Sequence, residues 1–209
     1  MLLKKKKLQT WARYIHVYVS MGLLLIILFF VITGITLNRP HLFVNTHAEV
    51  SEQSLLLPIE LFHSEKGLYQ PDASKLIKYL KAHTAISGQA SALQLFSEIE
   101  QGQLVFGEIS LDFKGPGYNA AVFVDMFSGE TTIEVTDYGV IALLNDLHKG
   151  RNSGGVWQLF IDFSALLMLL FVLSGVCLLL PKHKTLITSL KWSCVGTLVT
   201  GLIYLIFVP

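Results

Sequence analysis

Seven histidines are spread through this 209-residue chain, and four of them sit where apolar runs begin or end. His16 lies just inside the start of the first run, between Tyr14 and Tyr18, and His41 lies just beyond its end. His148 precedes the second run, within Leu147-His148-Lys149-Gly150-Arg151, and His183 follows it. An ionisable group at membrane depth is costly, so it ordinarily faces the protein interior and has a partner. Imidazoles at helix ends with aromatic and glycine neighbours suit axial ligation of haem. Zinc suits them less, because no thiolates or clustered acids accompany them. The competing account makes them interfacial anchors that carry no ligand. His47, His63 and His83 lie in polar stretches and read as surface residues.

Other chemistry finds little support. There is no nucleotide-binding glycine loop, no Ser-His-Asp ordering and no HExxH. Glu108, Asp112, Asp125 and Glu130 fall on expected strands or turns and read as solvated acids. Cys177 and Cys194 lie far apart in apolar stretches, form no CxxC or zinc pattern, and read as buried small apolar residues.

The elements that must position the histidines follow from composition. Charged residues make up 15% of the chain and apolar residues 52%, against about 25% charged in a typical soluble domain. That excludes a disordered chain and argues against an ordinary soluble enzyme. A net charge of +1 provides no field for nucleic acid. Val17–Leu37 and Phe163–Leu180 contain no charge, and Ser193–Val208 is a shorter apolar run. A helix needs roughly 20 apolar residues to span the hydrocarbon core, so three transmembrane helices are expected. The first follows a basic start, as a signal peptide does. Its apolar run is too long for one, however, and Asn38-Arg39-Pro40 provides no small-residue cleavage site.

Lysines and arginines orient the chain. Lys4–Lys7 and Arg13 precede the first helix, and Lys182, Lys184 and Lys191 lie between the second and third. Both regions are expected in the cytoplasm, with the intervening domain and the C-terminus outside. The expected division is a basic N-terminus (1–12), helix one (13–37), an α+β domain (38–155), helix two (156–181), a basic loop (182–191) and helix three (192–209). His16 and His183 then lie toward the inner face and His41 and His148 toward the outer. The two levels are about 30 Å apart.

Within 38–155, Gln70-Pro71-Asp72 opens a helix carrying Leu76, Ile77 and Leu80. Strands are expected near 92–99, 104–113, 118–126 and 131–135, in an antiparallel sheet of three or four strands. Asp137 is expected to cap a second helix that ends at His148-Lys149-Gly150. Near the ends of membrane helices one and two the chain repeats itself: Phe30-Val31-Ile32-Thr33-Gly34 and Phe171-Val172-Leu173-Ser174-Gly175, followed by Pro40 and Pro181 respectively. The two helices cross in opposite directions, so this would be an inverted pair. Gly34 and Gly175 admit a close neighbour, whether a backbone or a flat ligand.

Arg13-Tyr14-Ile15-His16-Val17-Tyr18 with Ile32-Thr33-Gly34 resembles the opening helix of PepSY-associated transmembrane proteins. Leu147-His148-Lys149-Gly150 with Leu173-Ser174-Gly175 resembles their second helix. Val122-Phe123-Val124-Asp125 with Ser128-Gly129-Glu130 resembles the PepSY strand and turn. The resemblance implies a bacterial inner-membrane protein of iron metabolism, similar to haem-containing reductases of ferric iron or ferric chelates. It carries the family's histidines onto His16 and His148 alone; His41 and His183 come from topology.

The resulting expectation is an α-helical membrane protein with three transmembrane helices and one periplasmic α+β PepSY-like domain. It binds haem b, transfers electrons and reduces ferric iron at the periplasmic face in support of uptake. Lys149, Arg151 and Arg39 are candidate propionate contacts. Asp162 is either an acid at the start of helix two, paired with its dipole, or functional. Half the size of larger members suggests a homodimer. The electron donor would be a membrane quinol or a cytoplasmic reductant. The alternative is a non-enzymatic, membrane-tethered PepSY module that regulates a peptidase or transporter.

Overall fold

The computed structural model describes residues 6–43, 48–62, 71–100 and 103–209. His47, His63 and Gln70 lie outside them. Among the described residues six α-helices run in chain order: α1 (Lys6–Asn38), α2 (Pro40–Phe43), α3 (Ala73–His83), α4 (Gly139–Lys149), α5 (Gly154–Leu179) and α6 (His183–Phe207). Six strands lie between α2 and α4: β1 (Glu49–Leu56), β2 (Gln89–Ala90), β3 (Gln94–Glu100), β4 (Gln103–Gly115), β5 (Tyr118–Asp125) and β6 (Glu130–Asp137). Helices α1, α5 and α6 are each long and apolar enough to cross a membrane.

The chain divides into two compact units. One holds α1 as far as Leu28 together with Phe160–Pro209, and the other holds Phe29–Leu159.

The second unit is built on an antiparallel sheet ordered β1-β6-β5-β4-β2, with β3 also paired to β4. Alternation in β5 sets which face is apolar: Ala120, Val122 and Val124 are buried. Their cross-strand partners Ile109, Leu111, Phe113 and Ile133 complete the layer. Helix α3 covers this layer with Leu76 and Leu80, one turn apart. Asp72 caps α3 by accepting from the Ser74 and Lys75 amides at 3.0 and 3.2 Å.

Four expectations from the sequence are corrected. Among the described residues the sheet has six strands, not three or four. Strand β1 escapes detection because Ser51-Glu52-Gln53-Ser54 has no apolar alternation. It is a solvated edge strand whose order comes from pairing with β6 over its whole length, from Glu49↔Asp137 to Leu56↔Glu130. Asp137 is not the cap of α4: Tyr138 holds that position, and Asp137 accepts the Gly139 amide at 2.7 Å. The basic segment after Pro181 is helical from His183, since no glycine or proline interrupts it before Gly196. Finally, Cys177 is half-buried and Cys194 is exposed on α6.

Helix α4 is tied to the sheet at one glycine. Gly117, in the β4–β5 turn, has φ +65°, and a Cβ there would lie 2.7 Å from the Leu143 nitrogen. Its amide donates to Asp146 Oδ2 at 2.9 Å. Only glycine allows both the left-handed turn and this approach. Helix α4 ends at Gly150, left-handed at φ 68°. Trp157 then donates to the Leu147 carbonyl at 2.8 Å, fixing the corner beside His148.

Candidate functional site: two histidine cradles

The repeated pentapeptides each hold one histidine. In the second unit, His148 sits in the last turn of α4 and meets Phe30, Thr33 and Gly34 of α1. Its Nδ1 lies 2.5 Å from Thr33 Oγ1. Phe30 meets the imidazole edge to face, with centroids 4.9 Å apart. A Cβ on Gly34 would lie 3.9 Å from His148 Cε1. In the first unit, His16 of α1 meets Phe171, Ser174 and Gly175 of α5. Its Nδ1 lies 3.1 Å from Ser174 Oγ and 3.2 Å from the Phe171 carbonyl. The Phe171 ring stacks on it at 4.6 Å and 16°. A Cβ on Gly175 would lie 3.1 Å from His16 Cε1.

Helical spacing makes the cradle. Positions i, i+3 and i+4 share a face, so Phe, Ser or Thr, and Gly in this order present a ring, a hydroxyl and a gap together. The hydroxyls are held by their own helices. Thr33 donates to the Phe29 carbonyl at 2.6 Å and Ser174 to the Phe171 carbonyl at 2.7 Å. The cradle side of α1 is dry: Thr33 is 2% exposed. One turn further on, Thr36 donates to Asn145 Oδ1 at 2.6 Å, and Asn145 is buried, so α4 is pinned to this end of α1.

Of the candidates named from the sequence, the structure sets His16 against Gly175 and His148 against Gly34. Among the described residues His41 shares no hydrogen bond or ring contact with His148, nor His183 with His16. Lys149 and Arg151 line one groove of about 640 Å³ with Lys114, Asn145 and Asp146, and Arg39 is not part of its wall. Arg151 also faces Asp146 at 3.7 Å. Asp162 lies beyond the first turn of α5, so it is no helix-start acid. His83 is exposed; its Nδ1 lies 2.9 Å from the Tyr79 carbonyl of its own helix. Thr33, Ser174, Phe30 and Phe171 were visible only as parts of the repeat.

Burial, and then the charge of Lys149, hold the His148 pKa below its ordinary value of 6.5. The neutral ring is therefore the ground state at neutral pH. Among the described residues no three histidines, cysteines or acids gather as a metal-ion site. The donor set fits haem better than a bare ion. Haem brings four nitrogens of its own and needs only one or two from protein. Each cradle occupies Nδ1, and Nε2 has no hydrogen-bond partner among the described residues.

A model of the PepSY_TM-like family matches residues 10–209, and the chain belongs to that family. No curated protein and no solved structure matches it.

Proposed function

We propose that this family member is a haem-binding electron-transfer protein of the bacterial inner membrane, which reduces ferric iron or a ferric chelate at the periplasmic face in support of iron uptake. The observation that carries this reading is the pair of cradles. Each one ties up the Nδ1 of a histidine and leaves one imidazole nitrogen for a ligand. His16 would hold one haem b and His148 another. When bound, haem iron supplies one-electron redox chemistry. The chain's own residues hold each ring at a set angle, exclude water with Phe30 and Phe171, and seat the Cε1 edge of each imidazole over Gly34 or Gly175.

Lys149 and Arg151 would meet propionates at the outer site. Each cradle offers a single nitrogen, so haem held by two protein nitrogens would need a further histidine. A homodimer supplies one, since a two-fold axis brings identical positions together. The N-terminus would be cytoplasmic and the sheet domain periplasmic, as the flanking lysines dictate. The donor would be a quinol or a cytoplasmic reductant, giving one electron per Fe(III) reduced to Fe(II).

The test is the visible spectrum and haem-to-protein ratio of detergent-purified protein from haem-sufficient cells. Low-spin b-type haem is expected. His16→Ala and His148→Ala should each lose haem or change its spin state, whereas His83→Ala should not. Colourless wild-type protein would overturn the reading and favour a PepSY module that regulates a peptidase or transporter.

A further inference from the structure

We infer that Thr33 is a positioning residue that locks His148 as its Nδ1–H tautomer, and that the Phe171 carbonyl, with Ser174 beside it, does the same for His16, making Nε2 the ligating nitrogen at both sites. The two pentapeptides are thus one device used twice, each on a different helix and each receiving a histidine from elsewhere in the chain.

The assignment follows from proton counting. A carbonyl oxygen can only accept, so the His16 Nδ1 that faces the Phe171 carbonyl at 3.2 Å must carry the proton. The Ser174 hydroxyl already donates to that same carbonyl at 2.7 Å, so its oxygen is the second acceptor for Nδ1–H. At the other site Thr33 spends its one proton on the Phe29 carbonyl at 2.6 Å. The contact at 2.5 Å therefore runs from His148 Nδ1–H to Thr33 Oγ1. Were the tautomer reversed, Thr33 would have to abandon Phe29. A ligating histidine ordinarily donates its other ring N–H to a fixed acceptor, which sets its tautomer and angle and raises its basicity.

The copies differ in a way that sharpens the test. His16 has two acceptors, one of them backbone, whereas Thr33 is the acceptor on which His148 Nδ1 depends. Thr33→Val should therefore free the tautomer of His148. Ser174→Ala should leave His16 largely locked by the Phe171 carbonyl.

The tautomer can be read without any cofactor, by ¹⁵N NMR of histidine-labelled, haem-free full-length protein held above the ordinary imidazole pKa of about 6.5. The wild type should show His16 and His148 as single Nδ1–H forms. Thr33→Val should give mixed or Nε2–H His148, Thr33→Ser should restore it, and Ser174→Ala should change His16 little. The ligation half rests on the haem reading. There Thr33→Val should weaken haem binding at the His148 site by about 10- to 100-fold, and Thr33→Ser should not.

An Nε2–H His148 in the wild type would overturn the proposal even if no variant folds. So would a Thr33→Val protein with unchanged tautomer and unchanged haem affinity. Correct tautomers in a protein that takes up no haem would leave the cradles standing and remove the haem reading instead.

Discussion

The two cradle glycines should respond unequally to alanine. At Gly175 the new methyl would lie 3.1 Å from His16 Cε1 and 3.5 Å from Nδ1; at Gly34 the nearest atom, His148 Cε1, is 3.9 Å away. Ordinary carbon–carbon contact lies at about 3.5–4.0 Å, so the second methyl fits. The first requires the His16 ring to retreat by about 0.4 Å. Its Nδ1 bonds already stand at 3.1 and 3.2 Å, the long end of the useful range of about 2.7–3.2 Å. A shift of that size can take one of them out of bonding distance. The cost is about 0.5–1.5 kcal/mol, or roughly two- to tenfold in ligand affinity. Helix propensity does not confuse the comparison, because both variants make the same change inside a long helix. The assay is haem titration into haem-free protein in detergent, resolving the two sites by pairing each variant with His148→Ala or His16→Ala. Gly175→Ala should weaken the His16 site and Gly34→Ala should leave the His148 site within twofold of wild type. Equal losses, or a larger loss from Gly34→Ala, would refute the geometry.

Three more outcomes are expected. Alkaline phosphatase fused after Leu57 should be active and after Lys184 inactive; the reverse pattern would invert the proposed sides. Because burial and Lys149 lower the His148 pKa, the native ring resists a proton that the unfolded ring accepts. Stability should be level above about pH 6.5 and fall as pH drops toward the lowered value. Thermal melts of haem-free protein at about pH 7.5 and 5.5 should show this loss in wild type and much less of it in His148→Gln, and equal losses would remove His148 as the cause. His16→Ala should abolish reduction of periplasmic iron by whole cells, although His16 would never meet the substrate. A normally expressed variant working at the wild-type rate would reduce the relay to a single outer haem fed from within the membrane.

Some of this site could be seen in the chain and some could not, for reasons of range. Spanning helices are local facts of apolar run length, so α1 and α5 were plain before any fold was known. The pentapeptide repeat was equally plain, because Phe, Ser or Thr, and Gly at i, i+3 and i+4 define a helix face without reference to anything else. What filled that face was not local. The hydroxyl–imidazole pairs join residues 115 and 158 positions apart, and no periodicity encodes such a pairing. Topology alone placed His41 on the same membrane side as His148, and His183 on the same side as His16. What the structure adds is a hydroxyl at the Nδ1 of each ring. Strand β1 was hidden for the same reason, its order coming from β6 and not from its own polar sequence. The repeat is more than a chance likeness between two apolar segments. Chance could supply Phe, Val and Gly twice, but it gives no reason for a histidine from a distant part of the chain to present Nδ1 to the fourth position and Cε1 to the fifth on both occasions.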